Sequence, residues 1–132
     1  MKKIILCLLA TSMMASAATA ADVNSEKVKT EKLVSYLYQF DICRQSPFVQ
    51  NRSEFTKGML QAADLVKNKI NLSVEEKMKI VKSVSESDEI RNFRLVFLAQ
   101  TFNRGESRDS SFFQQMVCSS KLTKFMEEFG RM

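Results

Sequence analysis

With 132 residues, the chain has room for one domain and not for two. Its formal net charge of +5 falls to +3 once an N-terminal leader carrying Lys2 and Lys3 is set aside, and acids and bases alternate along the rest, as in Glu75-Glu76-Lys77; this is not the clustered basic face of a nucleic-acid binder. The absence of His and Trp, with three Gly and one Pro, removes most of the material from which catalytic loops and metal sites are built, and no cofactor is implied.

The first element is a leader. Lys2 and Lys3 precede the apolar run Ile4 to Ala10, which passes into small residues ending Ala18-Thr19-Ala20-Ala21, the order of a secretory signal with cleavage after Ala20. Thr11, Ser12, Ser16 and the alanines make the run too weakly apolar for a retained span, which needs ~20 strongly apolar residues, so no stable membrane span is expected after cleavage. The segment Ile4-Ile5-Leu6-Cys7 lacks the small residue that a lipidation signal places before its Cys. Residues 1–20 are thus read as a signal peptide and 21–132 as a single periplasmic domain.

In the mature part Leu33, Tyr36, Leu37, Phe40 and Cys43 recur at helical spacing, predicting a first helix over about Glu26 to Cys43 that ends at Ser46-Pro47 and points Cys43 inward. Asn51 and Glu54 form a candidate capping box for a second helix with the face Phe55, Met59, Ala62, Val66 and Ile70. After a break over Asn68 to Leu72, Ser73 and Glu76 open a third helix with Val74, Met78, Val81 and Val84 as its apolar face.

Ser85 to Asp88 reads as a break and a new cap. Beyond it Ile90, Phe93 and Phe97 share one face while Leu95, Leu98 and Phe102 fill others, and a helix apolar on most of its circumference is expected in the middle of a bundle. The β-propensity of Phe93 to Phe102 keeps a strand open for part of this stretch. Asn103 to Ser111, with Gly105, two Arg and three Ser, is expected to be the longest exposed loop. A last helix from about Ser111 presents Cys118, Leu122, Phe125 and Phe129 on one face. The fold class is therefore all-α, a small bundle of about five helices.

Cleavage leaves two cysteines in an exported chain, where disulfides form and persist, and two cysteines allow one pairing, Cys43 with Cys118. Both lie on apolar faces, so the bond requires the first and last helices to be neighbours. A metal pair lacks further ligands and a redox pair would favour C-x-x-C spacing. The lysines at 67, 69, 77, 79 and 82 read as a solvated helix face. Met59 and Met78, on the expected apolar faces of consecutive helices, either fill the core or line an adaptable groove for a partner helix. The adjacent pairs Glu75/Glu76, Asp88/Glu89 and Glu127/Glu128 diverge by ~100° on a helix and suit N-terminal charge and solvation better than acid/base work. The expectation is a non-enzymatic periplasmic binding protein.

The order of signal peptide, first helix from Tyr36-Leu37 to Cys43, amphipathic middle helices, polar loop, then Cys118 followed by Leu122 and Phe125 resembles the PulS/OutS pilotins of type II secretion, in an unlipidated form. That resemblance implies capture of a secretin's C-terminal helix in an apolar groove. The segment Cys118-Ser119-Ser120-Lys121-Leu122 is also similar to the terminal region of periplasmic immunity proteins against type VI secretion amidases. This second resemblance implies inhibition of a toxin by an inserted loop, with Arg104, Glu106 and Arg108 as the contact residues. Either way the partner is another envelope protein.

Overall fold

A computed structural model describes the backbone of residues 2–102 and 107–132, and the side chains of residues 22–97 and 112–132. Five helices follow in order: α1 (Lys2–Gln45), α2 (Arg52–Asn68), α3 (Val74–Ser85), α4 (Asp88–Phe102) and α5 (Ser107–Phe129). The described residues hold no strand, so the all-α expectation stands and the strand alternative for Phe93 to Phe102 does not.

α1 is longer than the periodicity of Glu26 to Cys43 predicts, and its backbone continues through residues 2–20. The alanines and leucines of residues 2–20 favour helix on their own account. Among the described residues no helix is long and apolar enough to cross a membrane.

The centre of the bundle is α1, which packs on each of the other four helices. It carries two apolar faces. Leu33, Phe40 and Cys43 enter a main core with Phe55, Ala62 and Leu65 of α2 and Cys118, Phe125 and Phe129 of α5. On the adjacent face Val34 meets Ile80 and Val84 of α3 and Ile90 of α4, with Tyr38 and Ile42 packed against them. The central place expected for α4 thus belongs to α1. Ile90 and Phe97 of α4 are buried, but Leu95 and Val96 stand 56% and 43% exposed, so α4 is peripheral.

Aromatic rings knit the main core. The rings of Phe40 and Phe125 meet edge to face at 5.2 Å, and Tyr36 meets Phe125 at 5.5 Å and Phe129 at 6.1 Å. Each buried Phe is worth roughly 1.5–3 kcal/mol in transfer, and edge-to-face geometry adds ~0.5–1.5 kcal/mol. α2 reaches this layer closely because Gly58 has no side chain: a Cβ there would stand 3.0 Å from Phe40 Cε2 and 3.2 Å from Leu122 Cδ1.

The caps divide. Ser73 opens α3 as expected, its hydroxyl accepting the Glu76 N–H at 3.2 Å. Asn51 precedes α2, but its side chain accepts no helix N–H. The Asn51 carboxamide instead donates to Glu54 Oε2 at 2.8 Å and accepts from Gln115 Nε2 of α5 at 2.8 Å, so the expected box becomes a tertiary contact. α3 keeps half of its predicted face: Val84 is buried and Val81 packs beside it, but Ile80 joins them while Val74 and Met78 are 76% and 63% exposed. Of the loop expected over Asn103 to Ser111, residues 107–111 instead begin α5, and residues 103–106 lie outside the described residues. Ser and Asp in that stretch suit a helix N-terminus as well as a loop.

Cys43 and Cys118 are bonded and fully buried, joining α1 to α5 across 75 residues. In the chain-entropy description such a loop is worth roughly 4.5 kcal/mol. Cys43→Ser, Cys118→Ser and the double variant are expected to lose stability by similar amounts, ~2–5 kcal/mol, since all three lose the same bond. Denaturant unfolding checks this, and additive losses would contradict it.

Candidate binding surfaces

A cleft of 470 Å³ opens between α1, the α3–α4 junction and α5. Its floor is two parallel rows of α1, one of Val28, Lys32 and Tyr36, the other of Glu31, Ser35 and Gln39, each at spacing four. The first row leans to α5: Lys32 Nζ donates to Glu128 Oε1 at 2.9 Å and Tyr36 Oη donates to Glu128 Oε2 at 3.4 Å. The second leans to α4: Gln39 Nε2 donates to Glu89 Oε1 at 3.0 Å and to Ser35 Oγ at 3.1 Å. Lys121 completes the α5 wall, and Ser83, Val84 and Ser87 complete the other. Hydrogen bonds thus draw the two rows apart toward opposite walls and keep the cleft polar. Gln39 is 2% exposed, and its Oε1 has no hydrogen-bond partner.

Burial raises the Tyr36 hydroxyl above its ordinary value of 10.0, and the charges of Glu128, Glu89 and Glu127, with the Glu128 hydrogen bond, push it the same way. The folded state therefore favours the neutral phenol. Any stability this contributes is fully present below the unfolded value near 10 and is lost as pH rises through the higher folded one.

A second surface lies where α4 leads into α5. Ile90, Phe93 and Phe97 turn α4 inward, which leaves Leu95 and Val96 on its outer side. On α5 the buried Gln114 and Cys118 turn inward, and Phe112 and Met116, four residues apart, stand 70% and 51% exposed. Four large apolar side chains therefore face outward on the adjoining halves of two helices that pack together. Beside them a cavity of 310 Å³ is lined by Ile42, Pro47, Phe97, Asp41, Gln45, Ser46, Arg94 and Gln114. Behind it the buried Ser46 hydroxyl donates to Gln114 Oε1, and Gln114 Nε2 donates to the Phe97 carbonyl at 3.5 Å, which ties α5 to the end of α1.

The residues singled out in the sequence do not converge. Met59 is partly buried against the main core, as core filling requires, whereas Met78 is exposed on α3; neither lines the cleft or the cavity beside α4. Arg104 and Glu106 lie outside the described residues, and Arg108 falls in the first turn of α5. Lys67, Lys69, Lys79 and Lys82 are exposed and make no ion pair among the described residues, while Lys77 Nζ donates to the Lys67 carbonyl at the end of α2, at 3.2 Å. The cleft was missed because its walls come from three helices with no motif in common. No protein-family model, curated protein or solved structure matches the chain.

The polar cleft has a spectroscopic signature. In an ultraviolet titration Tyr36 is expected to ionise above 10.0, and Glu128→Gln is expected to lower its midpoint by removing the strongest neighbouring charge. An unchanged midpoint in that variant would mean that Glu128 does not act on the hydroxyl.

Proposed function

We propose that the chain is a non-enzymatic binding protein of the bacterial envelope, exported by its N-terminal leader, cleaved after Ala20 and active in the periplasm as a pilotin-like assembly factor. On this reading it captures a helical segment of another envelope protein, such as a secretin terminus, on the outward side of α4 and α5. The observation that carries the reading is the exposure of Leu95, Val96, Phe112 and Met116 on adjoining helices. Exposed apolar groups that adjoin in one patch mark interaction sites, and on this reading these four form such a patch. A helix laid against them would bury its own apolar face, the helix-in-groove mode of recognition. The buried Cys43–Cys118 bond fits an oxidising compartment.

Two measurements test the two halves of the reading. Protein recovered from the periplasm is expected to begin at Ala21, and full-length protein embedded in the inner membrane would overturn the export half. For the binding half, a photo-crosslinking residue placed at Phe112 is expected to capture an outer-membrane assembly protein. The double variant Leu95→Lys with Phe112→Ser is expected to lose that adduct while its unfolding free energy stays within ~0.5 kcal/mol for each exposed site. Capture of an exported cell-wall amidase at the same position would replace assembly with immunity.

A further inference from the structure

The polar cleft carries a separate inference, independent of the helix-docking reading. Its 470 Å³ falls in the range of small-molecule sites, roughly 300–1,000 Å³, and its floor from Glu31 to Gln39 runs ~12 Å along α1. Five charged side chains line it: Glu31, Lys32, Glu89, Lys121 and Glu128. Lys32 and Glu128 are consumed by one another at 2.9 Å. Glu31, Glu89 and Lys121 make no ion pair among the described residues, and they are divided, with the acids on α1 and α4 and the lysine on α5.

Gln39 supplies the second observation. An ionised Glu89 can only accept, so the amide nitrogen of Gln39 must face it and the orientation of the carboxamide is fixed. The carbonyl oxygen is then left buried and without a donor, an arrangement that disfavours the empty protein. A positively charged donor seated at Glu89 is what the cluster lacks: it would neutralise the carboxylate and, with a small movement of the Ser35 or Glu89 side chain, reach Gln39 Oε1.

We propose that this cleft binds a small zwitterion, a free amino acid or short peptide, with its ammonium on Glu89 and its carboxylate on Lys121. Gln39 is a positioning residue that holds Glu89 over the cleft.

The test titrates the isotope-labelled full mature protein with alanine, dialanine, N-acetyl-dialanine and dialanine amide, following the Gln39 side-chain NH₂ and the backbone amides of Ser35, Glu89 and Lys121 by NMR. Alanine or dialanine is expected to shift these resonances saturably. Binding should weaken at least about tenfold when either end of the probe is capped, and equally in Glu89→Gln and Lys121→Met, because each change removes one charge-assisted contact. Gln39→Met is expected to weaken binding as well while its melting temperature holds or rises, which a merely structural role would not produce. Tighter binding of dialanine than of alanine assigns a peptide, and the reverse assigns a free amino acid. Absence of saturable shifts with both, or shifts indifferent to both caps, would overturn the proposal.

Discussion

The bundle depends on one constraint: α1 must be buried on two adjacent faces at once. Leu33, Phe40 and Cys43 serve α2 and α5, and Val34, Tyr38 and Ile42 serve α3 and α4. With α1 as the shared partner, α2 and α5 complete the main core and α3 the other, while α4 bridges them, Phe97 entering the main core and Ile90 the second. The polar cleft is floored by α1, because a helix cannot be apolar all round and still offer Lys32, Ser35 and Gln39 to solvent or to its neighbours.

The second constraint is the attachment of α5, which closes the chain on α1. Burial of Phe125 and Phe129 holds its far half, and the bond from Cys118 to Cys43 holds its middle. Nearer its start the work passes to polar groups. Gln114 meets Ser46, and Gln115 donates to Asn51 while accepting the Gln50 N–H at 2.9 Å. Buried amides of this kind are costly unless satisfied, so they specify one docking position more sharply than further apolar contact would. They also explain why the α1–α2 turn, rich in polar residues, lies in contact with α5.

Much of the fold was legible in the sequence because helical periodicity reports which residues are buried together. The five helices and the inward placement of Cys43 and Cys118 follow from spacing and cap signals, and their pairing follows from the count of cysteines left once residues 1–20 are set aside. What periodicity cannot report is what a face packs against. Val34, Tyr38 and Ile42 recur at spacing four beside the Leu33 stripe, and this second face was not among the readings of the sequence. In α3, apolar residues at 74, 78, 80, 81 and 84 admit two registers, and only the position of α1 selects Ile80 and Val84 over Val74 and Met78. Asn51 and Glu54 have the spacing of a capping box, yet the competing acceptor demand comes from Gln115, 64 residues away. The cleft is the least legible feature, since Gln39, Glu89 and Lys121 share no sequence relation.

The two surfaces differ in how rigidly the fold holds them, and this bears on what each can recognise. Leu95, Val96, Phe112 and Met116 project from helices whose inner sides are anchored by Phe97 and Cys118, and being apolar they have no hydrogen bond to hold them. On the proposed reading such a surface would discriminate by area and shape. The cleft is the opposite case. Tyr36 and Lys32 are hydrogen-bonded to Glu128 on one side, and Gln39 to Ser35 and Glu89 on the other, so these polar groups are tied to one another across the helices. Preorganised polar groups recognise charge placement, not bulk, and they reject an isostere that leaves one of them unpaired. One apolar and one polar surface thus follow from the same arrangement: α1 takes the centre, its polar rows floor the cleft, and Leu95, Val96, Phe112 and Met116 of α4 and α5 are left facing outward.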